Sequence, residues 1–127
     1  MNMRSNESLG TWKSSREFRT FLFRQIIPAL KEAGGTDLAQ QIQETSSTTI
    51  TEGYGRYDYG KHGRFCTDTQ KSLLECVKLL AQAHVEKLLT DELYTESLTA
   101  ANEALTLLDS YSAHLDRAQK SLLTTPA

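Results

Sequence analysis

Three places in the chain hold residue types that support chemistry. Glu52 and Glu75 are the two carboxylates that an acid/base mechanism would want. His62 and Cys66 lie four apart and could share a helix face, as metal ligands do. The string Glu52-Gly53-Tyr54-Gly55-Arg56 has the glycines of a phosphate loop. Each falls short of its chemistry. Glu52 and Glu75 belong to successive antiparallel helices that turn near Gly60, which sets them at different heights, and a general acid and base must act at one height. A structural zinc site needs a third and fourth ligand, and Cys76 and His84 lie too far along the same helix. The glycine string has no Lys-Ser/Thr after it and no buried strand before it. It reads as a helix end and a turn. No Ser-His-Asp or Cys-His arrangement stands out. The expectation is a protein that is not an enzyme, with no catalytic residue, metal or cofactor.

Charge offers a different chemistry. The net charge of the 127 residues is −2, so nothing global announces nucleic acid. The distribution says more. Arg4, Lys13, Arg16, Arg19, Arg24 and Lys31 crowd the first 33 residues, against Glu7, Glu17 and Glu32. From Glu86 to Asp116 there are seven acids and one base, Lys87. At 100° per residue, Lys13, Arg16, Arg24 and Lys31 fall within an arc of about 80°. Such a face can bind phosphate. It can equally be solvated surface, or a partner for the acidic last helix. Tyr54, Tyr57 and Tyr59 lie near Arg56, Lys61 and Arg64, a mix that can stack bases or plug the end of a bundle.

The elements that must position these residues are helical. Residues 1–11 are polar and read as a flexible tail; residues 12–123 form one domain. Trp12, Phe18, Leu22, Ile26, Ala29, Leu30 and Ala33 share one face of a first helix that Gly34-Gly35 stops. Pro28 inside it should kink or split it. Thr36 and Asp37 look like an N-cap and first turn. Leu38, Ile42, Thr45, Thr49 and Gly53 then keep helical spacing, which carries a second helix through the hydroxyl run Ser46–Thr49. A third helix runs from about Lys61–Arg64 to Leu89. Cys66, Thr69, Leu73, Cys76, Leu80 and Ala83 mark one apolar face; Leu74, Val77, Ala81 and Leu88 mark a second. Lys71, Glu75, Lys78, Gln82 and Glu86 form its charged side. Thr90 caps a fourth helix whose seam is Leu98, Ala101, Leu105, Leu108, Leu115 and Leu122, with Ala104, Leu107 and Tyr111 as a second contact. Four helices with short links predict an all-α, antiparallel up-and-down four-helix bundle. No run reaches the roughly 18 apolar residues of a membrane span, and the start lacks a signal-peptide core, so a cytoplasmic protein with reduced cysteines is expected. Ten residues apart on one helix, Cys66 and Cys76 would stand about 15 Å from each other, too far to bridge.

The sequence QIQETSSTTITEGYGR, from Gln41 to Arg56, and FCTDTQKSLLE, from Phe65 to Glu75, resemble the signature of the S23-type four-helix bundle proteins encoded in intervening sequences of bacterial 23S rRNA genes. Gln41, Ile42, Ile50, Glu52, Gly53, Gly55, Arg56, Phe65, Ser72 and Glu75 carry the likeness. Thr49, Thr51 and Lys71 depart from the family's asparagine, alanine and glycine. The likeness covers about two thirds of the chain and is densest between Gln41 and Glu75. It implies a bundle assembled as a ring, commonly a homopentamer. The accessory proteins of diversity-generating retroelements look similar at this level, and they bind a reverse transcriptase and nucleic acid. Taken with the charge pattern, the resemblance implies RNA or DNA binding, or binding of a nucleic-acid-handling partner, through Lys13, Arg16, Arg24, Lys31, Lys61 and Arg64. The alternative is the accessory subunit of a reverse transcriptase. Gln41, Glu52, Gly53, Gly55, Arg56, Ser72 and Glu75 are then structural, with Arg56 pairing to Glu52 one turn back. The hydroxyl run becomes a close helix contact whose side chains bond the carbonyl a turn behind.

Overall fold

A computed structural model describes the backbone of residues 6–49 and 59–124, and the side chains of residues 10–11, 13–46, 67–113 and 117. The described chain is all α. Helix α1 (Asn6–Phe21) passes into a π-helical turn (Leu22–Ile26) and then α2 (Ile27–Glu32), which together make a first rod. Helix α3 (Thr36–Thr49), α4 (Tyr59–Val85) and α5 (Asp91–Thr124) follow. The rods close a ring: α1 packs on α5, α5 on α4, α4 on α3, and α3 on α2 and the π turn. This is a four-helix bundle with α1 and α4 on one diagonal.

The π turn explains where helical spacing misled. Pro28 has no N–H, and its ring would clash with the carbonyl four residues back in a regular helix. The chain inserts one residue ahead of it instead. The N–H of Ile27 donates to the Leu22 carbonyl, five residues back. The rod therefore neither breaks nor splits. Everything after the turn is set back by about one residue, or roughly 100°. Phe18, Leu22, Ile26 and Leu30 stay fully buried, four or fewer residues apart, and Ile27 joins them. Ala29 is only half-buried and Ala33 is exposed, so both leave the face that regular 100° spacing assigns them. The helix also starts at Asn6, upstream of the expected start at Trp12.

Both turns at one end of the bundle are built alike. After α2, Gly34 N–H donates to Lys31 O at 3.2 Å and Gly35 N–H to Leu30 O at 2.7 Å. After α4, Lys87 N–H donates to His84 O at 3.0 Å and Leu88 N–H to Ala83 O at 2.8 Å. These are Schellman endings, with a left-handed residue that satisfies the last carbonyls. Gly35, not Thr36, precedes the first helical residue of α3, and its carbonyl accepts the first bond, from Ala39 N–H at 2.9 Å. A β-carbon there would lie 2.9 Å from Leu88 Cδ1 and 3.3 Å from the Leu30 carbonyl oxygen, so the Leu88 side chain would have to shift to admit it. Thr90 caps α5 as its sequence suggests, accepting from Leu93 N–H at 3.2 Å.

Along α4, Thr69, Leu73, Cys76, Leu80 and Ala83 are fully buried. The second apolar face behaves differently: Val77, Ala81 and Leu88 are half-buried and Leu74 is 56% exposed. On α5 the buried line is Ser97, Ala101, Ala104, Leu108 and Tyr111. Leu98 and Leu105, expected on the seam, flank it half-buried, and Ala104 and Tyr111 are core rather than a separate contact. The reason is that α5 must face α1 and α4 at once, so its central line lies to one side of the Leu98–Leu105 row. Burying a large aliphatic or aromatic side chain stabilises the fold by about 1.5–3 kcal/mol, so Phe18, Leu22, Ile42, Leu80 and Leu108 dominate.

Candidate nucleic-acid or partner interface

The basic residues of the first rod lie on its outer side. Lys13, Arg16, Arg24 and Lys31 are all exposed. The π turn moves Lys31 to the opposite margin of the arc yet keeps the four within about 100°, on the side away from Phe18 and Leu22. Exposed Glu17 borders the arc, and the turn brings exposed Glu32 within it. Among the described residues no acid forms an ion pair with any of the four. Pairing of this face with α5 within one chain is therefore not observed among them, although α5 carries exposed Glu92, Glu96, Glu103 and Asp109.

Lys61 and Arg64 belong to the first turns of α4, and their side chains lie outside the described residues, as do those of His62 and Cys66. Glu52, Gly53, Gly55 and Arg56, with Tyr54 and Tyr57, also lie outside them. Of the remaining motif residues, Gln41 is exposed, Ser72 is half-buried and Glu75 is exposed. Glu75 Oε2 stands 4.0 Å from Lys78 Nζ, a loose surface pair that contributes little. The hydroxyl run has a described member in Ser46. It is fully buried and donates to Ile42 O at 2.8 Å, one turn back.

Two arrangements were not foreseen in the sequence. Arg19 stacks its guanidinium on Phe23, 4.7 Å from the ring centroid, and its Nε is buried without a hydrogen-bond partner. An aromatic four residues after an arginine was the signal available for it. At the α4–α5 corner, His84 stacks on Tyr94 with centroids 4.2 Å apart and an interplanar angle of 11°. Its Nε2 lies 2.6 Å from Asp91 Oδ1, which ties the end of α4 to the start of α5.

Among the described residues no group of three or more His, Cys, Asp or Glu is placed to hold a metal ion. Cys76 is buried in the core, and burial, with the Glu75 carboxylate adding to it, pushes its thiol up to about 12. A thiol held neutral is a poor nucleophile. Among the described residues no helix is long and apolar enough to cross a membrane. Compared with known protein families, curated proteins and solved structures, the chain finds no match. The likeness to the S23-type family rests on the motif in the sequence.

Proposed function

We infer that this small all-helical domain is a non-enzymatic, cytoplasmic binding protein, assembled as a homo-oligomer, that holds RNA or a nucleic-acid-handling partner on the outer face of its first rod. The observation that carries this reading is the row Lys13, Arg16, Arg24 and Lys31: exposed, on one side, and without an acidic partner among the described residues. A solvated face of mixed sign is the ordinary alternative. Here the four bases outnumber Glu17 and Glu32 on the same side, and a ring of copies would repeat a weak patch and multiply its affinity. The S23-type resemblance supports the same reading and implies a pentamer.

The test is RNA binding across a salt series, with the double variant Arg16→Glu and Arg24→Glu. Affinity should fall steeply with salt, and the variant should flatten that slope while its melting temperature and size stay unchanged. Intact binding in the variant would reduce the face to solvated surface. Loss of binding to a reverse transcriptase, with no RNA binding in either protein, would move the reading to the accessory-subunit alternative.

A further inference from the structure

We propose that a second copy of this chain docks on the outer side of the α4–α5 pair, through a two-fold contact in which Lys71 of each copy meets Asp109 of the other. This rests on the homo-oligomer in the functional reading above and assigns the surface through which its copies meet. RNA binding plays no part in it.

This side is apolar along its middle. At 100° per residue, Val77, Ala81, Leu74 and Val85 span about 80° of α4, starting from the flank where His84 stacks on Tyr94 of α5. Leu74 and Val85 are exposed, and Val77 and Ala81 are half-buried. By the same geometry, Leu98 and Leu105 lie on the flank of α5 that carries Tyr94, and both are half-buried. The two rows stand side by side on packed, antiparallel helices and make one apolar strip. A contiguous strip of this kind marks a contact site.

The margins say what covers it. Lys78 and Lys71 border the strip along the outer edge of α4, and Asp109 and Asn102 border it along the outer edge of α5; all four are exposed. Among the described residues neither Lys71 nor Asp109 forms an ion pair, and Lys78 has only the loose one to Glu75. The two margins are also in register. Lys71 lies 13 residues before His84 and Asp109 lies 15 after Tyr94, the two rings that stack at the corner. At 1.5 Å per residue they stand within about 3 Å of the same height, on opposite sides of the strip. A two-fold axis parallel to the helices keeps height and exchanges the sides. It lays α4 of one copy on α5 of the other, seats strip on strip, and sets Lys71 against Asp109 twice. A two-fold axis across the helices would lay α4 on α4 and the lysine margin on itself, which like charges oppose. One strip with a basic and an acidic margin at equal height is thus complementary to itself. Two copies complete the contact, and the pentameric ring that the resemblance implies would need a further surface.

Lys71→Asp and Asp109→Lys each set like charges together at both crossings. Each should weaken self-association about tenfold, read by sedimentation over a concentration series. Both positions are exposed, and a parent-like far-UV circular dichroism spectrum checks that each variant is folded. Mixed in equal amounts, the two variants should associate as tightly as the parent, because every crossing then joins an acid to a base. Rescue by mixing is peculiar to a contact between copies, since a charge lost within one chain is not restored by adding another chain. Parent-like association of both variants, or a mixture no tighter than its members, overturns the two-fold contact, gives the strip to a different protein and leaves the homo-oligomer standing. A parent protein that stays a monomer throughout the series overturns the contact and the homo-oligomer together.

Discussion

Gly34 and Lys87 hold the same place in two copies of one helix ending. Gly34 has φ 89° and Lys87 has φ 63°, and each is followed by a residue whose N–H reaches five residues back. The left-handed region favours glycine by about 1–2 kcal/mol over a residue with a β-carbon. Gly34→Ala should therefore lower unfolding free energy by about 1 kcal/mol, and Lys87→Gly should raise it by up to about that much. Denaturant titration of the two variants reads both signs. Equal effects of the same sign would mean that the endings do not depend on this conformation.

Ser46 tests the close contact of the hydroxyl run. Its side chain is fully buried and its hydroxyl is satisfied within its own helix. Ser46→Ala removes the donor with little change of volume and leaves a helix carbonyl that keeps its backbone bond, so the change should be nearly neutral. Ser46→Leu should overpack the site and lower stability by about 1–3 kcal/mol. A leucine variant that melts with the parent would show that the position is not packed.

Cys76 makes stability fall at high pH. The thiol's ordinary value is 9.0 and burial raises it to about 12 in the folded chain. Below pH 9 the thiol is neutral in both states and its contribution is fully present. Between 9 and 12 the unfolded chain releases the proton and the folded chain keeps it. Stability then drops by roughly 1.4 kcal/mol per pH unit from this group. Cys76→Ala should lose that part of the slope between pH 9 and 11, whatever its stability at neutral pH. Identical slopes in the two proteins would contradict the burial of the thiol.

Leu74 and Val85 are 56% and 79% exposed on α4, on the side away from the core. Association of copies through this side is the expected use of the second apolar face. Sedimentation at micromolar concentration should show several subunits, and Leu74→Glu with Val85→Glu should shift the distribution toward 14.2 kDa. A parent protein that sediments as a monomer would remove the oligomer from the functional reading, and an unshifted double variant would place the contact elsewhere.

Amphipathic spacing, Gly34-Gly35 and Thr90 were enough to read four helices, their order and most core residues, because each of those signals acts within one or two turns. The hydroxyl run was legible as helix for the same reason: Ser46 satisfies itself on Ile42. The bases Lys13, Arg16, Arg24 and Lys31 could also be placed on one side, since the π turn rotates Lys31 without carrying it off the outer face. What the sequence left undecided was which residues face a neighbour. The turn ahead of Pro28 adds one residue to the rod, and only packing against α3 and α5 makes that insertion keep Leu22, Ile26 and Leu30 in line. Likewise the buried line of α5 lies to one side of Leu98 and Leu105 because two helices, not one, lie against it. Local sequence determined where helices form; the register of their faces was decided by how the rods meet.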